Sequence, residues 1–200
     1  MKLRLLYQGG KVNAEQARVA ALQNDGNVVG LIQMLDSDVR GVTQYSIVRG
    51  DAAFALGQLR DERAVPHLIE MRHDPEQMVR MQVMWALGRF KREPVEATLR
   101  EGLADEATMV RESAATSLAQ VGAADAIPLL RTMADSDPVA EVRLDAVEAL
   151  VILGDETARD RVPDAIRALP WRMRRHPRVK RLAQVAASGE ALTPWKHSWD

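Results

Sequence analysis

The dipeptide Val-Arg recurs at a nearly fixed interval, and this periodicity constrains the fold more than any other feature. The four copies begin at positions 48, 79, 110 and 142, so the spacings are 31, 31 and 32 residues. The segments that follow are also alike: they read DAAFALGQL, QVMWALGRF, SAATSLAQV and DAVEALVIL. A period of roughly 20–50 residues is typical of a solenoid, in which one supersecondary unit stacks on the next.

Each repeat is predicted to contain two helices. In one unit the apolar residues fall at i, i+4, i+7, i+8 and i+11, a stripe along one face of a helix. They are Val79, Val83, Ala86, Leu87 and Phe90. A second helix then begins near Pro66 or Pro128, where a missing N–H costs little. Neither helix can bury its stripe alone, so stacking of units is expected to supply the stability.

Small and polar residues are expected to shape these helices. Alanine recurs on the buried face of the first helices, where it allows helix axes to approach closely; the matched positions are 52, 55, 86, 114, 146 and 149. Gly57 and Gly88 are predicted to stand at helix ends in the left-handed conformation. Asp61 and Asp125 are predicted to cap the second helices.

One repeat domain is expected over residues 1–200. Residues 1–47 form a partial repeat with an enlarged connection, and residues 48–166 form the regular repeats. Residues 167–200 are expected to form a basic C-terminal cap and tail, which contains Trp195 and Trp199. Residues 1–158 hold 17 Lys+Arg against 24 Asp+Glu, whereas residues 159–200 hold 10 against 4. Such a split marks either a polar cap or an interaction tail, and both interpretations stay open.

Composition excludes several classes of function. The chain has no cysteine, which rules out disulfides, thiolate metal sites and a cysteine nucleophile. No apolar run approaches the roughly 20 residues of a membrane span, and the N-terminus lacks the pattern of a signal peptide. A cytoplasmic protein is therefore expected. We find no Gly-rich phosphate loop and no nucleophile elbow, so no catalytic activity is evident in the sequence, and no cofactor is expected.

The pattern Val-Arg-x-x-Ala-Ala-x-Ala-Leu-Gly, followed by Ala-Val-Pro-x-Leu, resembles the short HEAT-like repeat of phycobilisome lyases. The resemblance covers roughly residues 48–165. It implies an all-α fold, a right-handed α-solenoid of about five two-helix repeats. Ala119 and Val151 depart from the pattern, because they replace the glycine found at positions 57 and 88. Repeat hydroxylases of this superfamily hold iron with His-Glu pairs, and no histidine here is followed by glutamate.

A ladder of arginines is the most regular polar feature. It comprises Arg49, Arg80, Arg111 and Arg143. Each follows an acid at the end of the previous unit, such as Asp74, Asp105 or Asp137. A guanidinium there is expected to join that acid and free helix-end carbonyls, which makes the ladder structural. The alternative is a row of phosphate-binding arginines.

Phe54 and Trp85 occupy matched positions off the main apolar stripe, and Met81 lies nearby in sequence. An exposed aromatic–methionine patch suits a protein partner or a flat apolar ligand. The alternative interpretation is that these side chains fill gaps between units.

Other candidates carry weaker signals. His67 and Glu70 stand three residues apart on a second helix, and Glu101 shares the register of Glu70. Two ligands make a poor metal site, so a solvated face is expected and no metal is predicted. Near the C-terminus, Trp171 lies among basic residues that include Arg174 and Arg175. Basic residues with an interleaved aromatic are typical of nucleic-acid contacts.

Three hypotheses of function follow. The first is a non-catalytic scaffold or adaptor that holds another protein through its concave second-helix surface and the region of Phe54 and Trp85. The second, implied by the lyase resemblance, is a bilin-lyase-like enzyme or chaperone that holds a flat apolar molecule. The third is nucleic-acid binding through residues 167–181. No membrane partner is expected.

Overall fold

The computed structural model describes residues 14–35 and 43–193, and over these ranges the chain is helical with no strand. The predicted all-α class is thus confirmed. Trp195, Trp199 and most of the enlarged connection lie outside the described residues. The helices are α1 (Ala14–Asn24), α2 (Val28–Leu35), α3 (Thr43–Leu59), α4 (Val65–Glu70), α5 (Gln77–Leu87), α6 (Glu93–Gly102), α7 (Thr108–Val121), α8 (Ile127–Ser136), α9 (Ala140–Ile152), α10 (Ala158–Ala168) and α11 (Pro177–Ser188).

The chain divides into two compact units, residues 1–90 and residues 91–200. In the first unit, α3 lies between α1 and α5, so helices that begin equivalent repeats contact one another directly. The second helices of these pairs, α2 and α4, contact α3 and α5 respectively. Two helices per repeat is the arrangement that the periodicity predicts.

The second unit follows the same scheme. Its first helices α7 and α9 contact each other, while α6 lies on α7 and α8 lies on α9. The helix α10 contacts both α9 and α11. Residues 177–188, predicted to be part of a cap and tail, therefore form one more helix that packs on the repeat before it.

Matched positions build the core of each unit. The alanines at positions 52, 55, 86, 114, 146 and 149 are at most 1% exposed. On the second helices, Leu68, Leu99, Leu130 and Val162 are equally buried. Pro66 and Pro128 stand in the first turns of α4 and α8, as predicted. The apolar stripe of the sequence is therefore the buried face of each helix.

Gly57 has a role other than the predicted one. It lies inside α3, where a Cβ atom would stand 2.7 Å from the Cα and 2.8 Å from the Cβ of Ala86 on α5. Real Cβ atoms do not approach backbone so closely. Gly57 is therefore required for the close approach of two helices, and the prediction of a left-handed helix end at this position was wrong.

The left-handed residues stand three positions later in the repeat. Gly122 and Gly154, at the ends of α7 and α9, have φ values of 76° and 81°, and the matched Arg60 has a φ of 54°. Gly88 stands at the end of α5, as predicted, but its backbone is right-handed, with a φ of −59°, so the predicted left-handed conformation was wrong. At Gly57 the segment Ala-Leu-Gly resembles a helix end, although α3 continues to Leu59.

The predicted helix caps are only partly correct. Asp61 accepts a hydrogen bond from the backbone N–H of Arg63 and caps the 3₁₀ turn that leads into α4. Asp125 does not cap α8: it lies within the 3₁₀ turn Ala124–Ala126 and pairs with Arg100 at 2.5 Å. The Asp125 carboxylate thus binds Arg100 on α6 and does not cap the backbone N–H groups at the start of α8.

We expect Gly57→Ala to destabilise the chain by about 2 kcal/mol, because the added methyl group meets the backbone of Ala86. Gly50→Ala, also in α3, is the matched control: its Cβ meets only the flexible amide end of Gln82. The free energy of unfolding of the control is expected to stay the same or to rise by up to about 1 kcal/mol, because alanine has a higher helix propensity than glycine. Urea unfolding of both variants measures the difference, and equal losses would contradict this account.

Candidate functional site

Arginines of the ladder bind aspartates in the first unit. Arg49 donates from Nε and Nη2 to the two carboxylate oxygens of Asp74, at 2.7 and 3.0 Å, and both side chains are at most 5% exposed. Arg80 donates from Nη1 to the backbone carbonyl of the same aspartate at 2.9 Å. The Asp74 carboxylate also accepts the N–H of Glu76 at 2.9 Å. One aspartate thus links two successive first helices.

The second unit repeats this geometry. Arg111 donates from Nε and Nη2 to the carboxylate of Asp137 at 2.8 and 3.2 Å, and from Nη1 to the carbonyl of Asp105 at 2.9 Å. Arg143 donates to the carbonyl of Asp137 at 2.6 Å. Among the described residues, no carboxylate pairs with Arg143. These arginines bind carboxylate and carbonyl groups of the fold itself, which supports a structural ladder over a phosphate site.

The ladder differs from the prediction in one respect. Each arginine was expected to bind the carboxylate of the acid that precedes it, but for Arg80, Arg111 and Arg143 the preceding aspartate offers its backbone carbonyl. The acid that precedes Arg49 lies outside the described residues. The carboxylate comes from the aspartate 25 or 26 residues later. The physical reason is that each aspartate caps the N–H two residues ahead, which turns its carboxylate towards the first helix of its own repeat.

An aromatic pair lies on the first helices of the first unit. The rings of Phe54 on α3 and Trp85 on α5 stack with centroids 4.4 Å apart and an interplanar angle of 20°. The guanidinium of Arg89 lies over the Trp85 ring, 4.2 Å from its centroid. All three side chains are partly exposed. The structure therefore joins the two aromatic residues that the sequence had placed at matched positions.

Two exposed apolar residues extend this pair, and the sequence analysis did not single them out. Ile47 and Met78 are 41% and 49% exposed. Each stands seven residues before one of the aromatics, which puts it on the same helix face two turns earlier. Met81, the predicted neighbour, is partly buried on α5. We call this set (Ile47, Phe54, Met78, Met81 and Trp85) the apolar face. The i, i+7 spacing of Ile47 to Phe54 and of Met78 to Trp85 is the sequence pattern that predicts it.

The candidates on the second helices are ionisable side chains. His67 lies partly buried on α4, while Glu70 on α4 and Glu101 on α6 are exposed. Within residues 14–35 and 43–193, no group of three or more His, Asp or Glu side chains is arranged to hold a metal ion.

A buried acidic cluster in the second unit was missed by the sequence analysis. Arg178 on α11 reaches Asp145 at 2.5 Å and Glu148 at 2.6 Å, both on α9. These carboxylates are 9% and 6% exposed, and they border a small pocket whose apolar lining includes Ala149 and Ile152. Glu148 occupies the matched position of Phe54 and Trp85. A charged residue at the position filled by Phe54, Trp85 and Thr116 in the other units was the available signal.

Burial perturbs the acids of this cluster. It raises the pKa of Asp145 to about 7; the Arg178 charge opposes that rise, and the nearby Glu112 and Glu148 charges add to it. Burial also raises the pKa of Glu112 on α7. One arginine thus faces three carboxyl groups, and a proton on Asp145 relieves the excess negative charge.

The C-terminal basic segment is only partly free. Arg174 donates to the carbonyls of Leu169 and Arg167, at 2.9 and 2.6 Å, and Arg178 turns inward to the acidic cluster. Trp171 is 61% exposed. The guanidinium groups of Arg172 and Arg175 each lie 5.5 Å from its ring centroid. The predicted basic patch therefore divides into structural arginines and an exposed aromatic–basic turn.

Replacing Arg111 by Met should destabilise the chain far more than replacing Arg143 by Met. The first change strands the buried carboxylate of Asp137, which costs about 3 kcal/mol or more. The second removes a single hydrogen bond to a carbonyl, which costs about 1 kcal/mol. Chemical denaturation of the two matched variants measures this difference. Similar losses would show that the carboxylate contact contributes little.

Stability is expected to fall as pH rises from about 4 to about 7 through the titration of Asp145. A carboxyl whose folded-state pKa is raised keeps its proton in the folded state after the unfolded chain has released it. Raising the pH therefore favours the unfolded chain over this window. Asp145→Asn removes this contribution, whereas Asp125→Asn, at an exposed pair, should keep the wild-type slope. Thermal melts across the pH range test the difference, and an unchanged slope for Asp145→Asn refutes it.

Comparison with known proteins identifies the repeat. The family model for HEAT repeats matches residues 30–108, 71–151 and 96–183. A solved structure of the complex of CpcE and CpcF of phycocyanin lyase from Nostoc sp. PCC7120 is similar in fold, with a TM-score of 0.61 and 21% sequence identity over 93% of this chain and 80% of that chain.

No curated protein sequence matches the chain. In the described ranges, no helix has both the length and the hydropathy needed to cross a bilayer. The predicted HEAT-like repeat is confirmed by the family model, and the solved lyase structure shares its fold. With matches that span residues 30–183, the chain belongs to the HEAT-repeat family.

Proposed function

We propose that this chain is a protein-binding module that docks a partner subunit on the apolar face of α3 and α5. The observation that carries the proposal is the stacked Phe54–Trp85 pair, extended by two apolar side chains that are 41% and 49% exposed. Aromatic residues next to methionines provide large contact area with adaptable edges, the usual composition of an interface centre.

The similar solved structure supports a protein partner, because it is a complex of two proteins. The proposed surface keeps the region of Phe54 and Trp85 that was expected from the sequence, and it leaves out the second-helix surface that was expected beside it. On the second helices the candidates Glu70 and Glu101 are exposed and charged, and solvated charges contribute little to the centre of an interface. The apolar face of the first helices is the better candidate for the docking surface.

A second candidate function is the binding of a flat apolar molecule, as in a bilin-lyase-like enzyme or chaperone. The observation that favours it is the stacked, partly exposed aromatic pair, together with the similarity in fold to a phycocyanin lyase complex. A linear tetrapyrrole that raises the melting temperature of the chain would support this function, and the rise should then disappear in Trp85→Ala. No shift at saturating tetrapyrrole counts against it.

Lysine substitutions on the apolar face test the proposed docking. The tagged chain is purified from its native cells, and co-purified protein is quantified by mass spectrometry. Ile47→Lys with Met78→Lys should lower the recovery of the partner at least about tenfold, because two buried charges oppose the interface. Both positions are exposed, so the fold is expected to remain intact, as circular dichroism will show.

Val29→Lys with Leu129→Lys is the matched control, since these side chains are 54% and 48% exposed on other helices. The control should recover the partner at the wild-type level. Equal loss in both double variants, unchanged recovery with the first pair, or no stoichiometric partner for the wild type would each contradict the proposal.

A further inference from the structure

Residues 170–176, between α10 and α11, form an ordered turn that we call the basic turn. Its backbone is closed by hydrogen bonds from the N–H of Met173 to the carbonyl of Pro170 and from the N–H of His176 to the carbonyl of Met173, both at 2.9 Å. Arg174 braces it through two further backbone carbonyls. The turn is thus held in one conformation by its own hydrogen bonds, which lowers the entropy lost on binding.

The basic turn displays apolar and cationic groups together. Trp171 is 61% and Met173 is 40% exposed. Among the described residues, no carboxylate pairs with Arg172 or Arg175, and their guanidinium groups contact the Trp171 ring. Other arginines of this segment are neutralised or engaged: Arg167 pairs with Asp164, and Arg178 pairs with the acidic cluster. Two unpaired cations therefore flank an exposed aromatic ring.

The charges around the turn limit what can bind there. Two unpaired cations stand close together in this short segment, while residues 91–169 contain more acidic than basic side chains. An extended polyanion such as nucleic acid gains affinity from many phosphate contacts along a basic track, and the acidic surroundings oppose such a track. A short anionic ligand with an apolar group matches the turn better, since guanidinium forks bind carboxylates in pairs.

We propose that the basic turn binds a short acidic peptide segment of a partner protein, with one apolar side chain of that segment lying on Trp171. The carboxylates of the segment pair with Arg172 and Arg175. This site shares no residue with the apolar face. The proposal is therefore independent of the function proposed for the apolar face.

The proposal is tested by fluorescence anisotropy of a labelled synthetic peptide of Glu and Asp residues around a central Leu-Phe pair, titrated with the full chain at about 0.15 M salt. Arg172→Ala with Arg175→Ala should weaken binding at least about tenfold, because each lost ion pair is charge-assisted. Trp171→Ala should weaken it about fivefold. Circular dichroism verifies that the variants keep their helix content.

Controls separate the site from general charge effects. Arg18→Ala with Lys91→Ala removes the same charge from exposed positions elsewhere and should change the dissociation constant by less than about twofold. A peptide with Ser in place of the Leu-Phe pair should bind at least about threefold more weakly.

Several results would overturn the proposal. They are an equal loss in the control double variant, equal binding of the Ser peptide, or no saturable binding of the acidic peptide. Tighter binding of a single-stranded oligonucleotide or of phosphatidylserine vesicles through the same residues would also overturn it, and would identify nucleic acid or an anionic membrane as the ligand instead.

Discussion

Close contact between equivalent first helices is the constraint on which the rest of the structure depends. Gly57 and the alanines at matched positions leave no side-chain bulk between neighbouring helices, so α3 and α5 approach until backbone nearly meets backbone. At this distance the outward positions of both helices also come together. The stack of Phe54 on Trp85 follows directly, because two rings at matched positions can then meet face to face.

The arginine ladder fixes where the packed helices begin and end. Helix ends leave carbonyl groups without helical partners, and a buried carboxylate needs compensation. One guanidinium meets both needs, since Arg111 binds carbonyls at the end of one repeat and the carboxylate of Asp137 in the next turn region. The charges are therefore buried in pairs, and each pair fixes where one helix ends and where another begins.

Much of this could be predicted from the sequence, for physical reasons. In a repeat protein the same contact recurs in each unit, so its sequence pattern is visible several times. The buried apolar face of each helix, the two helices per repeat and the matched positions of the two aromatic residues were therefore predictable. The function of Gly57 was not, because a glycine at a crowded helix crossing and a glycine at a helix end look alike in one sequence. The acidic cluster was missed because Arg178 lies outside the regular repeats, 30 residues from Glu148. A contact that occurs in only one unit produces no periodic pattern in the sequence.

The two-sided bonding of Arg111 has a consequence for how such a chain can lengthen. An inserted copy of one repeat brings its own guanidinium, its own aspartate and its own free carbonyls, so both new junctions are complete without changes elsewhere. Duplication of whole units is thus chemically self-sufficient, whereas insertion of half a unit would orphan a buried charge. Arg143, which has only a carbonyl partner among the described residues, marks where this modular growth stops and a differently built terminal helix takes over.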